Sequence, residues 1–259
     1  MIRKVIHYCW FGKGEHSELI TRCISSWKKF CPDYEIIEWN ETNFDINSTI
    51  WTKEAYEKKK YAFVSDYVRL YALYNYGGVY LDTDVELFKN IDVFLGHKAF
   101  SGFENDKYVN TGIMGSVTKH PVIKTFLQYY DNRHFINENG GINDDPNVRF
   151  ITRILKSYGL LNNDSLQNVN GMHIYPKTYF CPIDANGNRD FSNLTHCVHH
   201  FNSSWRPEEE RLQVALMHKW YYPIYKKAVL GAIYLVKLII GNENARMLRL
   251  KYIKLFLRE

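Results

Sequence analysis

The sequence predicts an α/β fold: one domain with a mixed, mainly parallel central sheet, followed by a helical C-terminal tail. Three observations predict it. Residues 5–39 alternate strand, helix and strand patterns, the unit from which parallel sheets are built. The chain has 259 residues, 46% hydrophobic and 16% aromatic, enough for one large core. No internal repeat, low-complexity block or clear linker divides it before the tail, so one domain over 1–218 and an extension over 219–259 is the expected organisation.

The elements follow in order. Val5 to Phe11 is an apolar run that reads as a buried strand, and Gly12-Lys13-Gly14 turns the chain after it. Ser17 to Phe30 places Leu19, Ile20, Cys23, Ile24 and Trp27 at helical spacing and stops before Pro32. Tyr34 to Trp39 alternates as a second strand, and Asn40 to Asn47 is polar loop. Thr52 to Asn75 is mostly helical. Gly77-Gly78 breaks it, and Val79 to Leu81 is a short buried strand. Phe100 to Phe103 and Gly112 to Ser116 are further candidate strands, with a helix starting near Pro121. Gly140 to Pro146 is a polar loop, Val148 to Tyr158 a helix, and Met172 to Tyr175 and Cys197 to Phe201 are late strands.

Charge and cysteines exclude some classes. The net charge of +5 is uneven: Lys219 to Glu259 carries nine Lys or Arg against two Glu, a net +7, which leaves −2 on the rest. A broad basic face for nucleic acid is therefore not supported. The five cysteines show no Cys-x-x-Cys pair and are odd in number, which predicts a reduced protein with buried thiols. The N-terminus reads as too short and polar for a signal peptide, so the expected location is cytoplasmic. In the tail, Ala228 to Ile240 is apolar but interrupted by Lys237, too short to span a bilayer. Arg246 to Arg258 sets Leu250, Ile253 and Leu257 on one stripe beside basic residues. Such a helix can lie on the anionic inner face of a cell membrane or pack on the domain with its charges in water.

The chemistry gathers at Asp82-Thr83-Asp84, directly after the short apolar strand. Two carboxylates one residue apart suit a hard divalent cation with open positions for phosphate. An Asp-x-Asp alone is common in solvated turns, but this pair ends a buried strand, where α/β proteins gather ligands. The preceding helix adds Asp66 and Arg69, three apart on one face. From spacing alone that pair reads equally well as an exposed ion pair of little worth.

The order Ser65-Asp66-x-x-Arg69, Gly77-Gly78, Tyr80, Asp82-x-Asp84 resembles the sugar-binding region of glycosyltransferase family 32. That family holds bacterial capsule and lipopolysaccharide transferases and yeast Golgi mannosyltransferases. The glucosyltransferase domain of the large clostridial toxins is more distantly similar. The resemblance implies a GT-A type nucleotide-sugar-binding domain and a transferase that retains anomeric configuration. It implies that Trp10 stacks on the nucleotide base, that Asp66 and Arg69 contact donor-sugar hydroxyls, and that Tyr80 touches the donor near the ribose or phosphate. Asp82 and Asp84 would hold Mn²⁺ or Mg²⁺, with Asp84 the direct ligand.

His199-His200-Phe201-Asn202-Ser203-Ser204-Trp205 resembles the family's late His-to-Ser-Trp element. It implies a metal-ligating histidine, with His199 favoured over His200, and β-phosphate donors at Ser203, Ser204 and Trp205. Asn110 stands where the family places a residue near the donor sugar or acceptor. Asp144 and Asp145 sit where the family more often has Gly-Pro, so a solvated loop is expected there.

The implied donor is a nucleotide-sugar, with UDP favoured by the Trp10 match. The implied acceptor is a lipid-linked oligosaccharide in capsule or lipopolysaccharide synthesis, reached at the membrane surface through the tail. Two rivals remain: hydrolysis of a nucleotide-sugar, and a catalytically inactive carbohydrate- or nucleotide-binding scaffold. The lack of a second clustered metal motif in the sequence argues against hydrolysis, and metal-dependent donor affinity without turnover would mark the scaffold.

Overall fold

The computed structural model describes residues 1–183, 188–201 and 242–257, with six single positions between the last two stretches. Its centre is a seven-stranded sheet in the order β2-β1-β3-β6-β5-β8-β7. The strands are β1 (Val5–Cys9), β2 (Glu35–Trp39), β3 (Gly78–Leu81), β5 (Ala99–Gly102), β6 (Ile113–Ser116), β7 (Gln167–Val169) and β8 (Met172–Tyr175). A separate pair joins β4 (Val85–Leu87) to β9 (Cys197–His199).

The sheet is mixed. β1 pairs in parallel with β2 and β3, and β5 with β8, while β6 runs antiparallel to β3 and β5, and β7 antiparallel to β8. The carboxyl ends of β1, β3, β5 and β8 therefore lie along one edge, and β6 starts from that edge. β1, β3, β5 and β6 are buried along their whole length, which explains their continuous apolar runs. β2 is an edge strand and only Trp39 is fully buried on it, which explains its polar alternation.

Helix α1 (Glu18–Phe30) is capped by Ser17, whose side chain accepts from the Ile20 N–H. It packs Cys23 and Trp27 into the core and holds β4 from behind. The Trp27 indole donates to the Val85 carbonyl at 2.7 Å, and the Leu87 N–H donates to Ser26 Oγ at 2.9 Å. The segment expected to be mostly helical forms two helices, α2 (Ile50–Glu57) and α3 (Tyr61–Tyr76). Gly77 ends α3 with φ +66, a conformation that side chains rarely take, and the chain enters β3 at once. Helices α4 (Pro121–Gln128) and α5 (Asn147–Ser157) follow their sequence signals within a residue. Two short strands, β4 and β7, were not legible.

His7 illustrates the packing. It is fully buried on β1. Its Nδ1 accepts from the Trp39 indole at 3.1 Å, so Nε2 carries the proton and donates to the Gly77 carbonyl at 2.7 Å. One imidazole thus ties β1, β2 and the end of α3. All five cysteines are free and buried.

The chain divides into two compact units. One holds Met1–Pro182 and Ser192–His199, and carries the sheet. The other holds Ile183–Phe191 and His200–Glu259, whereas the sequence had suggested a boundary after 218. In the second unit, α6 (Asn242–Leu257) buries Ile253 in a small cluster with Leu216, Tyr222 and Tyr225. Among the described residues no helix is long and apolar enough to cross a membrane.

Candidate functional site

The site is built at the carboxyl edge of the sheet, where β3 ends. Asp82 leaves the strand and its N–H donates to the Gly112 carbonyl at 2.8 Å. The Val85 N–H closes the turn on the Asp82 carbonyl at 2.9 Å, so Thr83 and Asp84 sit in a tight reversal. β4 then pairs with β9 in a register that sets Val85 opposite His199. This turn and this pairing, 115 residues apart in sequence, bring Asp82, Asp84 and His199 together.

His199 Nε2 lies 3.2 Å from Asp84 Oδ1 and 3.9 Å from Asp82 Oδ2. One ligand atom from each of the three residues lies within 4.8 Å of the others. Two carboxylates and an imidazole form an oxygen-rich set with one borderline nitrogen, which fits a divalent cation such as Mn²⁺ or Mg²⁺. Burial pushes the His199 pKa down, but the Asp84 charge and hydrogen bond, Asp82 and Glu104 outweigh it and raise it to about 9. The two carboxylates thus favour positive charge at this point.

Behind the pair stands Arg69. It is buried, contrary to the exposed ion-pair reading. Its Nη2 bridges Asp66 Oδ1 at 3.0 Å and Asp82 Oδ1 at 3.2 Å, and Nη1 donates to the Thr111 carbonyl at 2.8 Å. The guanidinium also lies 4.9 Å from the Tyr80 ring centroid. Its fork is engaged by protein oxygens, so in this structure Arg69 orients the carboxylates rather than reaching into solvent for a sugar. Asp66 is more available, with 13% of its side chain exposed. Burial, helped by Asp82 and opposed by Arg69, raises its pKa to about 7.

Tyr80 differs from expectation in the same way. It is 1% exposed, and its hydroxyl donates to Asp82 Oδ1 at 2.9 Å. It sits under the first Asp and orients it. Asn110 is also internal. Its Nδ2 donates to Cys181 Sγ at 2.7 Å and its Oδ1 accepts from the Gly112 N–H at 2.5 Å, which spends the amide on the fold rather than on a substrate. Ser65 donates back to the Tyr61 carbonyl.

Trp10 stands just past β1, half-buried, with its indole N–H on the Gly14 carbonyl at 2.7 Å and its ring edge-on to His16 at 4.6 Å. Asp144 and Asp145 are exposed, and Asp145 pairs with Arg149 at 2.6 Å, as a solvated loop should. His200 belongs to the other unit. Ser203, Ser204 and Trp205 lie outside the described residues. The sequence singled out Asn110-Thr111-Gly112 as a segment near the donor or acceptor, but not the backbone roles of Thr111 and Gly112, and it did not point to Glu104. A glycine opening a buried strand was the available signal for Gly112.

Residues 17–101 match the family model described as a glycosyltransferase sugar-binding region containing a DXD motif. The match covers about a third of the chain and makes this part similar to such a region. Inositol phosphoceramide mannosyltransferase 3 of Schizosaccharomyces pombe is 28% identical over 52% of the chain and 40% of its own length. A mannosyl phosphorylinositol ceramide synthase of Saccharomyces cerevisiae is 33% identical over 40% of the chain and 29% of its own length. The chain thus spans less than half the length of these curated relatives. An uncharacterised glycosyltransferase of Acanthamoeba polyphaga mimivirus is 27% identical over 85% of the chain and 90% of that protein. Within the matched residues the Asp-x-Asp is Asp82-Thr83-Asp84, carried by α1, α2, α3, β2, β3, β4 and most of β5.

Proposed function

We propose that this protein is a metal-dependent glycosyltransferase that moves a hexosyl or N-acetylhexosaminyl group from a nucleotide-sugar to a lipid-borne glycan or glycolipid, with retention of anomeric configuration. The observation that carries the reading is the convergence of Asp82, Asp84 and His199 at the end of β3. A divalent cation held there neutralises charge on a departing diphosphate.

The chain's own residues do the rest. Asp84 and Asp82 would supply hard oxygen ligands, and His199 a nitrogen ligand once its imidazole gives up the proton. Arg69 and Tyr80 lock the Asp82 carboxylate in place from below. Asp66, fixed by Arg69 but partly open, accepts hydroxyl hydrogens of the donor sugar and aims its anomeric carbon at the acceptor. Trp10 offers a flat apolar face to the nucleotide base. Asn110 supports this site without touching the sugar.

The acceptor follows the relatives in part. One is named as an inositol phosphoceramide mannosyltransferase and another as a mannosyl phosphorylinositol ceramide synthase. A lipid-borne acceptor is common to those names and to the capsule or lipopolysaccharide setting that the sequence suggested. The named mannosyl transfer makes a mannosyl donor the first alternative to a UDP-hexose.

The test is calorimetry with UDP, GDP and their hexose conjugates, with and without Mn²⁺. One nucleotide-sugar should bind in a Mn²⁺-dependent manner, and Asp84→Asn should abolish that dependence. Turnover in Asp84→Asn should fall roughly a hundredfold or more, as for the loss of one transition-state electrostatic contact. Mn²⁺-dependent donor binding without any turnover would favour the inactive scaffold instead.

A further inference from the structure

Asn110-Thr111-Gly112 is the joint on which the site is assembled. The Gly112 carbonyl accepts from Asp82, and the Thr111 carbonyl from Arg69. The Thr111 hydroxyl donates to Asn147 Oδ1 at 2.9 Å, which ties in the start of α5. Asn110 Oδ1 folds back on the Gly112 N–H and fixes the backbone angle there.

His199 lies directly against the bare Cα of Gly112. A Cβ built at Gly112 would stand 2.9 Å from both Cε1 and Nδ1 of the imidazole, and 3.1 Å from Asn110 Oδ1. Such distances are well inside van der Waals contact. Gly112 does not have the left-handed φ that demands glycine elsewhere in the chain. Space for the ring, not backbone freedom, is what glycine supplies here. The ring has little room to retreat: its side chain is 12% exposed, and Nε2 is held at Asp84.

We propose that Gly112 is a positioning residue for the cation site: its missing side chain seats the His199 imidazole against Asp84 and Asp82. The proposal rests on reading that cluster as the cation site. A methyl at 112 displaces the ring by several tenths of an ångström or more, and a metal site tolerates little displacement. Changes to groups that orient a ligand typically cost ten- to a hundredfold in affinity.

Mn²⁺ binding to the full chain tests this, read by calorimetry and by the electron paramagnetic resonance signal of free Mn²⁺. Wild type, Gly112→Ala, His199→Ala and the double variant form a cycle. Gly96→Ala is the control, because a Cβ there meets nothing within 4 Å. Gly112→Ala should weaken Mn²⁺ at least tenfold, with Gly96→Ala unchanged. In the His199→Ala background the same methyl should cost nothing further, because the ring that it strikes is gone. Thermal melting should follow: Gly112→Ala lowers Tm and His199→Ala restores it.

Wild-type affinity in Gly112→Ala overturns the proposal, as does an equal loss in both backgrounds. A Gly112→Ala chain that does not fold supports it if His199→Ala recovers folding, and overturns it if not. Absence of Mn²⁺ binding by wild type is a different failure: it removes the cation site and the role of Gly112 with it.

Discussion

At the residue scale, the site separates groups that present chemistry from groups that hold it. Asp66 is the clearest member of the first kind. Its pKa of about 7, raised by burial first and by Asp82 second, means that it changes charge near neutrality. A carboxylate can accept from two neighbouring sugar hydroxyls, whereas the protonated acid must donate one of its contacts. Donor affinity should therefore rise as the pH goes from about 6 to about 8, by several-fold per proton lost. Asp66→Asn should bind weakly throughout and lose that slope. Titration calorimetry across the range checks it, and a slope that survives in Asp66→Asn assigns the titration to another group. Arg69 and Tyr80 belong to the second kind. Their types and spacing were legible in the sequence, but not their burial. That depends on β3 ending beside α3 and on Thr111 arriving from 42 residues away, which no local pattern records.

At the element scale, the turns and caps do as much as the strands. Glu54 on α2 accepts from the Phe135 N–H at 2.8 Å, the Ile136 N–H at 2.9 Å and His134 Nδ1 at 2.7 Å. One carboxylate so anchors the loop after α4. Burial pushes its pKa up, but the Ile136 N–H, His134 and the Phe135 N–H prevail and hold it below the ordinary value. A depressed folded pKa contributes stability that is complete above the unfolded value of about 4.3 and is lost as the pH falls through the folded one. Glu54→Gln keeps one acceptor oxygen and loses the charge. It should cost about 1–3 kcal/mol at neutral pH, as hydrogen bonds to charged groups do. Below the folded pKa the difference from wild type should close. Urea midpoints between about pH 3 and about pH 7 measure this, and a pH-independent gap would show that shape rather than charge holds the loop.

The same scale shows where the sequence stops being readable. β1, α1, β3, α4, α5 and β8 announce themselves by apolar runs, a serine cap or a leading proline. β4 and β7 are three residues each, and Gln167-Asn168-Val169 has no strand pattern at all. Such strands exist because a partner is already in place. β9 stops at His199, short of the predicted Phe201, because Phe201 takes a positive φ of 49 and leaves the ladder. That stop leaves His199 on the last rung, opposite Val85 and one residue past Asp84. The metal-ligand candidates were thus legible as residue types, while their meeting is a product of two short pairings that only the folded chain contains.

At the scale of the whole molecule, charge is unevenly divided along the sequence. The carboxylate-rich site lies in a region of net −2, and the net +7 lies in residues 219–259. α6 exposes Met247, Tyr252 and Leu255 together with Arg246, Lys251 and Lys254. Exposed apolar groups among lysines suit the boundary of an anionic bilayer, where the apolar ends enter and the ammonium heads meet phosphate. The lipid-borne acceptor proposed above would itself be confined to such a bilayer. The full chain should co-sediment with vesicles that contain phosphatidylserine and not with phosphatidylcholine alone, and added salt should release it. Each basic residue near such a surface contributes about 1 kcal/mol. Reversing two of them in Lys251→Glu/Lys254→Glu should therefore weaken binding by more than tenfold, with Mn²⁺ and donor affinity unchanged. Vesicle binding that ignores both salt and these reversals would place the basic residues of α6 in water, with the helix acting as a packed element of its own unit.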